Sequence, residues 1–179
     1  MLTLLIGGSG CGKSVFGEAL AAQAPSPRYY IASMRPYGEE SLARIRRHRA
    51  QRSHLGFETI DCYTNIAGLA LPQRGVVLLE CLCNLTANEM FDEGGAETSV
   101  KEAVETVLAG VDALHSQASH LIAITNDVGS DGVQYGEGAV RYMQALGKIN
   151  ARLAKKADHV AELVCGLPLW LKGGAPCVF

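Results

Sequence analysis

The chain has 179 residues, 48% of them hydrophobic and 19% charged, with a formal net charge of −2 at pH 7. That is enough for one domain around a sizeable core, too apolar for a disordered polymer and too near neutral for wholesale nucleic-acid binding. No apolar run reaches the roughly 20 residues of a membrane-spanning helix, and the six cysteines form neither a C-x-x-C pair nor a regular framework, so reduced thiols in a cytoplasmic protein are expected.

Leu2–Ile6 is a short apolar run that reads as a strand, leaving no room ahead of it for a targeting segment. Gly7-Gly8-Ser9-Gly10-Cys11-Gly12-Lys13-Ser14 follows, and then a helix-like segment over residues 15–23. Strand, glycine-rich loop and helix are the context that the phosphate-binding pattern G-x-x-x-x-G-K-[ST] requires. The glycines let successive N–H groups converge on an anion, and the helix points its positive end at the same place. Lys13 is placed to reach β- and γ-phosphates, and Ser14 to ligate Mg²⁺. The motif implies a nucleoside triphosphate and leaves the reaction open.

Arg28–Ala32 reads as a second strand, with Ser33 and Met34 just beyond it. Residues 44–52 then hold five arginines, and on a helix Arg44, His48 and Arg52 share one face. Three readings stand: a solvated basic face, a nucleic-acid contact weakened by the absence of interleaved aromatics, or a second anion site. In the third, arginines clamp phosphates and hold His48 towards its neutral, nucleophilic form. Val76–Glu80 is a buried strand closed by an acid, the arrangement in which a carboxylate holds Mg²⁺ beside the loop serine; the alternative is an acid simply emerging into solvent. Cys81 and Cys83 read as residues at a strand end rather than a metal site, since no histidine or cysteine cluster at zinc spacing accompanies them.

Val100, Val104, Val107, Val111 and Leu114 mark an amphipathic helix, and residues 120–125 a fourth strand. Asn126 and Asp127 follow it, without the Asn-Lys-x-Asp of regulatory GTPases. Loops are expected at 24–26, 72–75, 92–96 and 129–138, the last long and glycine-rich. Val140, Met143, Leu146, Ile149 and Leu153 mark another helix, where Asn150 reads as a satisfied buried amide more readily than as a ligand. Runs at 160–165 and Leu167–Lys172, separated by Gly166, suggest a terminal antiparallel hairpin. The fold class is α/β: a P-loop NTPase-like three-layer fold with a mainly parallel central sheet and a C-terminal antiparallel hairpin. One nucleotide-binding domain is expected over 1–172, with 173–179 a frayed tail. Ligands of such sheets bind beyond the carboxyl ends of the strands, which singles out the loop, Ser33, Met34, Glu80, Asn126 and Asp127.

The loop from Gly7, Tyr30-Ile31-Ala32, Arg44-Ile45-x-x-His48-Arg49-x-x-Arg52, Thr59-x-Asp61, Leu78-Leu79-Glu80-Cys81, Thr125-Asn126-Asp127-Val128-Gly129 and Gly147-x-x-Asn150-x-x-Leu153-Ala154-x-x-Ala157-Asp158 occur in one order. This combination resembles the bifunctional adenosylcobinamide kinase / adenosylcobinamide-phosphate guanylyltransferase family of cobalamin biosynthesis, over nearly the whole chain. The resemblance implies ATP- or GTP-dependent phosphorylation of adenosylcobinamide, then attack on GTP by a histidine, here His48, and passage of GMP to adenosylcobinamide phosphate. It implies nucleotide contacts from Gly7, Gly8, Ser9, Gly10, Cys11, Gly12, Lys13, Ser14, Ala32, Ser33, Met34, Arg49, Ala50, Gln51, Arg52, Asp61 and Glu80, with Mg²⁺ at Ser14 and Glu80. It also implies a homotrimer, with neither nucleic acid nor membrane insertion involved. The chain departs from the family pattern at Gly10-Cys11, at Ser53-His54 and Phe57, in the position of the Thr-x-acid pair, and at Tyr142-Met143-Gln144. Rival readings are a P-loop kinase of another small alcohol without a covalent intermediate, and a non-catalytic nucleotide-binding module.

Overall fold

The computed structural model describes residues 1–91, 97–129 and 132–176, apart from the side chains of Glu40 and Arg44. The loop expected at 92–96 therefore lies outside the described residues, as do 177–179 at the end of the tail. The elements in chain order are β1 (Leu2–Ile6), α1 (Lys13–Ala22), β2 (Arg28–Ala32), α2 (Gly38–Arg52), β3 (Phe57–Asp61), a 3₁₀ turn (Ile66–Gly68), β4 (Val76–Glu80), α3 (Leu82–Met90), α4 (Val100–Gln117), β5 (His120–Ile124), α5 (Glu137–Lys156), β6 (His159–Val164) and β7 (Leu167–Lys172).

The strands form one sheet in the order β3-β2-β4-β5-β1-β6-β7. All neighbours run parallel except β6 and β7. The central strands are apolar along their length because both faces are covered. Leu5, Leu78, Ile122 and Ile124 face α1, packing on Leu20 and Ala21. Leu4, Leu79, Leu121 and Ala123 face the opposite way, onto a layer built from α3, α4 and α5. Neither buried cluster draws a residue from α2. The β6–β7 connection is the two-residue turn Cys165-Gly166, with φ of 51° and 82°, a pair of positive values that matches the twist of a tight hairpin. Beyond β7, His159 Nδ1 meets the carbonyls of Gly173 and Gly174, and Pro176 is buried. No helix among the described residues is long and apolar enough to cross a membrane.

Because β1, β2, β4 and β5 are mutually parallel, their carboxyl ends open on one rim. The glycine-rich loop, Ser33 and Met34, Glu80, and Asn126 all arise there. Besides the short 3₁₀ turn, two elements escaped the sequence reading. β3 carries Glu58 and Asp61 and is only half-buried, the pattern of an edge strand. α3 starts directly after Cys81, with no side-chain cap to announce it.

Two outcomes test this packing. Gly17 lets α1 approach the sheet so closely that a Cβ there would lie 3.0 Å from Leu78 Cδ1 and 3.2 Å from Ile124 Cδ1. Gly17→Leu is expected to lower the denaturant-derived stability by about 1–3 kcal/mol. Gly147→Ala, at an exposed position with no atom within 4 Å of the new Cβ, should raise it by up to about 1 kcal/mol. His120 supplies the second outcome. It is 2% exposed and its Nε2 lies 2.8 Å from Thr3 Oγ1. Burial first, then the positive amino terminus and His159, push its pKa from 6.5 down to about 4. Above pH 6.5 the ring is neutral in both states. As the pH falls towards 4, the unfolded chain takes up a proton that the folded chain refuses, so stability drops through that window. Denaturation midpoints at pH 7 and pH 5 should differ less for His120→Gln than for the wild type.

Candidate active site

The loop between β1 and α1 is shaped by its neighbours as much as by its own glycines. Gly12, at the helix N-cap, has φ of 99°, and a Cβ there would lie 3.0 Å from Gly166 Cα. A Cβ on Gly7 would meet both Cys11 Sγ and the Leu163 carbonyl at 2.8 Å. Only glycine fits such approaches at positive φ. The turn of the hairpin buttresses the loop directly, the Gly166 N–H donating to the Cys11 carbonyl at 2.8 Å. Lys13 is 6% exposed and folds over the loop, its Nζ donating to the carbonyls of Gly7 and Gly8 at 2.9 and 2.6 Å. Its charge is thus held beside the N-terminus of α1, a setting that suits an anion.

Glu80 ends β4 beside this loop. Ser14 Oγ donates to its Oε1 at 2.5 Å, and the Tyr30 hydroxyl donates to its Oε2 at 2.6 Å. A hydroxyl and a carboxylate in contact are the hard oxygen donors that magnesium takes, so this pair suits the cation the motif calls for. His48 approaches from α2, its buried Nδ1 lying 3.9 Å from Glu80 Oε1. Glu18, one turn beyond Ser14 on α1, completes a group in which Glu18, His48 and Glu80 each bring a ligand atom within 4.8 Å of the others. Burial, and then the charge of Glu80, push the Glu18 pKa up to about 7 against the pull of Arg52. Burial and the same carboxylate raise the Tyr30 pKa.

The arginines of α2 have separate fates. Arg52 is 4% exposed, with its guanidinium 3.6 Å over the Tyr30 ring and Nη2 donating to Thr59 Oγ1 at 3.2 Å. Arg49 is exposed and its Nη2 donates to both oxygens of Asp61 at 3.1 and 2.9 Å. Arg46 and Arg47 are exposed, and the side chain of Arg44, expected on the same face as His48, lies outside the described residues.

Two cavities meet at His48, Glu80 and Cys81. One, of about 490 Å³, carries Ser9, Gly10, Gly12, Lys13, Ser14 and Gln51. The other, of about 280 Å³, carries Ala32, Met34, Arg49, Arg52 and Asp61, with the apolar surfaces of Leu42 and Ile45. Most of the residues expected at the site therefore line one of two adjoining spaces. Gly7, Gly8 and Cys11 of the loop line neither, and Ser33 is buried behind them, its Oγ donating to the Cys81 carbonyl and accepting from the Cys81 N–H, both at 2.8 Å. Ala50 is exposed and lines neither cavity. Asn150 is satisfied, accepting from Thr125 Oγ1 at 2.7 Å and donating to the Asn126 carbonyl at 3.2 Å. Cys83 is no strand-end residue but part of α3; its sulfur accepts from the Asn126 N–H at 3.1 Å, and a hydrogen bond with the Cys81 thiol holds its pKa down. The sequence reading missed Glu18 and the role of Tyr30. The spacing of four between Ser14 and Glu18 was the available signal for the first.

The family model described as "Cobinamide kinase / cobinamide phosphate guanyltransferase" matches residues 3–171. The bifunctional adenosylcobalamin biosynthesis protein CobU of Salmonella typhimurium is 29% identical over 187 residues, covering 96% of this chain and 100% of its own. The corresponding protein CobP of Pseudomonas aeruginosa is 28% identical over 178 residues, covering 97% and 98%. A DnaB-like replicative helicase, solved with its interactions with primase, aligns with 90% of this chain and 47% of its own at 10% identity, with a TM-score of 0.43. That likeness is too loose to bear on function.

The charge-assisted bond from Tyr30 to Glu80 has a direct test. Tyr30→Phe keeps the ring under Arg52 and removes only the hydroxyl. It should lower stability by about 1.5–3 kcal/mol, read from urea denaturation.

Proposed function

The chain belongs to the cobinamide kinase / cobinamide phosphate guanyltransferase family, and we propose that it performs both transfers around one nucleotide site, with His48 carrying the guanylyl group between them. It is accordingly a transferase of cobalamin biosynthesis. The observation that supports His48 as the carrier is its position where the phosphate-loop cavity and the cavity of Ala32, Met34 and Asp61 meet. A triphosphate laid along the loop, with its nucleoside in the second space, brings its α-phosphorus past that imidazole.

In the guanylyl half, Nδ1 of His48 faces Glu80, and Nε2 is the nitrogen that attacks the α-phosphorus of GTP. A nitrogen–phosphorus bond forms, the bond from the α-phosphorus to the bridging oxygen breaks, and pyrophosphate leaves with the electron pair. A phosphate oxygen of adenosylcobinamide phosphate then attacks the same phosphorus and displaces the imidazole, leaving GMP joined to the corrinoid phosphate. Lys13 and the N–H groups of the loop meet the charge that grows on the departing phosphates. Magnesium, when bound by Ser14 and Glu80, neutralises part of that charge. In the kinase half, the aminopropanol hydroxyl of adenosylcobinamide takes the γ-phosphoryl group of ATP or GTP at the same loop, and the nucleoside diphosphate leaves. Of the nucleotide contacts implied by the resemblance, Ser33 acts from behind by fixing the main chain at Cys81, and Asp61 acts as a pair with Arg49.

Incubation with Mg²⁺ and GTP labelled at the α-phosphate should give an acid-labile GMP adduct on the wild-type protein and none on His48→Ala. Absence of an adduct while the protein binds GTP would remove the guanylyl half. The kinase half is read separately, from transfer of γ-label of ATP or of GTP to adenosylcobinamide. The homotrimer is read from the mass of the assembly in solution.

A further inference from the structure

Glu18 takes no part in the chemistry above, yet its carboxylate is held at the site. The residue is 5% exposed, and its Oε1 is buried without a hydrogen-bond partner. A buried carboxylate oxygen with nothing to accept from is costly, and a second carboxylate beside it makes it more so. Arg52 is near enough to attract it but forms no ion pair with it, and Arg52 Nη1 is itself buried without a partner. Among the described residues, Glu18 Oε1 therefore sits as a carboxylate oxygen without a partner.

The geometry around it is that of a cation cradle. Ser14 and Glu18 lie one helical turn apart on α1, so both side chains leave the same face towards the end of β4. Ser14 Oγ is already 2.5 Å from Glu80 Oε1, and a Glu18 oxygen lies within 4.8 Å of Glu80. Around a magnesium-sized ion with bonds of about 2.1 Å, neighbouring oxygens are about 3 Å apart and opposite ones about 4 Å. The imidazole of His48 is the third member of the group, and a hard cation prefers the oxygens to it.

We propose that Glu18 is a second carboxylate arm of the divalent-cation site, acting with Glu80 and Ser14, so that the cation is held before any nucleotide arrives. The inference rests on the role given above to Ser14 and Glu80. It goes beyond that role because two carboxylates and a hydroxyl bind a cation without help from a triphosphate, whereas a serine and one carboxylate rely on phosphate oxygens to complete the shell.

Mn²⁺ is the probe, added to nucleotide-free protein and followed by the paramagnetic resonance of the free ion and by thermal melting. Wild type is expected to bind one Mn²⁺ per chain and to melt at a higher temperature with it. Glu18→Gln should bind Mn²⁺ at least tenfold more weakly and lose the metal-dependent rise. Its melting temperature without metal should be equal to or above that of wild type, because a buried like-charge pair has gone. Glu18→Asp keeps the charge near Arg52 but draws the oxygens back, and should also bind more weakly; it serves if the glutamine variant fails to fold. Unchanged Mn²⁺ affinity in either folded variant overturns the proposal, as does a wild type that binds no Mn²⁺ alone. The role of Ser14 and Glu80 is judged independently, by whether Glu80→Gln loses the Mg²⁺-dependent GMP adduct.

Discussion

A negative charge at the end of a strand that is otherwise sealed from water is the constraint on which this molecule turns. Val76 to Leu79 are shielded on both faces, and Glu80 is the first residue of β4 able to meet a polar partner. The protein surrounds that carboxylate from separate directions: Ser14 from α1, Tyr30 from β2 and His48 from α2. Each partner belongs to a chemically distinct task. The serine ties the acid to the phosphate loop, the tyrosine holds its second oxygen, and the histidine is the group proposed above to react. Strand β4 has β2 and β5 as neighbours, so the acid is central to the rim, with the loop after β1 one strand further along.

α2, the helix that carries His48, is held in an unusual way. It contributes nothing to either apolar cluster, so its position depends on polar and cation–π contacts. Arg52 anchors its C-terminal end on the Tyr30 ring and Thr59, and Arg49 ties its exposed side to Asp61 at the end of β3. An amphipathic helix glued to a sheet by leucines has one seat; a helix held by guanidinium contacts keeps its place with less buried surface and less restraint. That looser hold suits the shuttling role proposed for His48.

The strands that were legible in the sequence are those whose environment is uniform. β1, β4 and β5 read as continuous apolar runs because both faces are buried, and the long helices α4 and α5 read from their spacing. β3 hid because an edge strand with Glu58 and Asp61 has no such run, and α3 because it follows β4 without a polar cap. The candidate site divides on the same line. The loop, Glu80 and His48 could be named because motif and strand-end position select them. Arg52 was named with the other arginines, but that it turns inward depends on an aromatic ring twenty-two positions earlier, which no local pattern reports. Glu18 hid within a helix where an acid is unremarkable until Glu80 and His48 are placed beside it.

The contact between the phosphate loop and the hairpin turn orders the assembly of the site in time. The loop is made from residues 7–14, yet Leu163 and Gly166 close it from the other end of the chain, and β1 itself lies between β5 and β6. During synthesis the N-terminal strand therefore has no sheet to join until most of the chain exists, and the loop lacks its buttress until β6 has paired. The shape of the phosphate loop is for this reason a property of the finished domain: its sequence is complete by Ser14, but the backbone that packs against it comes from Leu163 and Gly166.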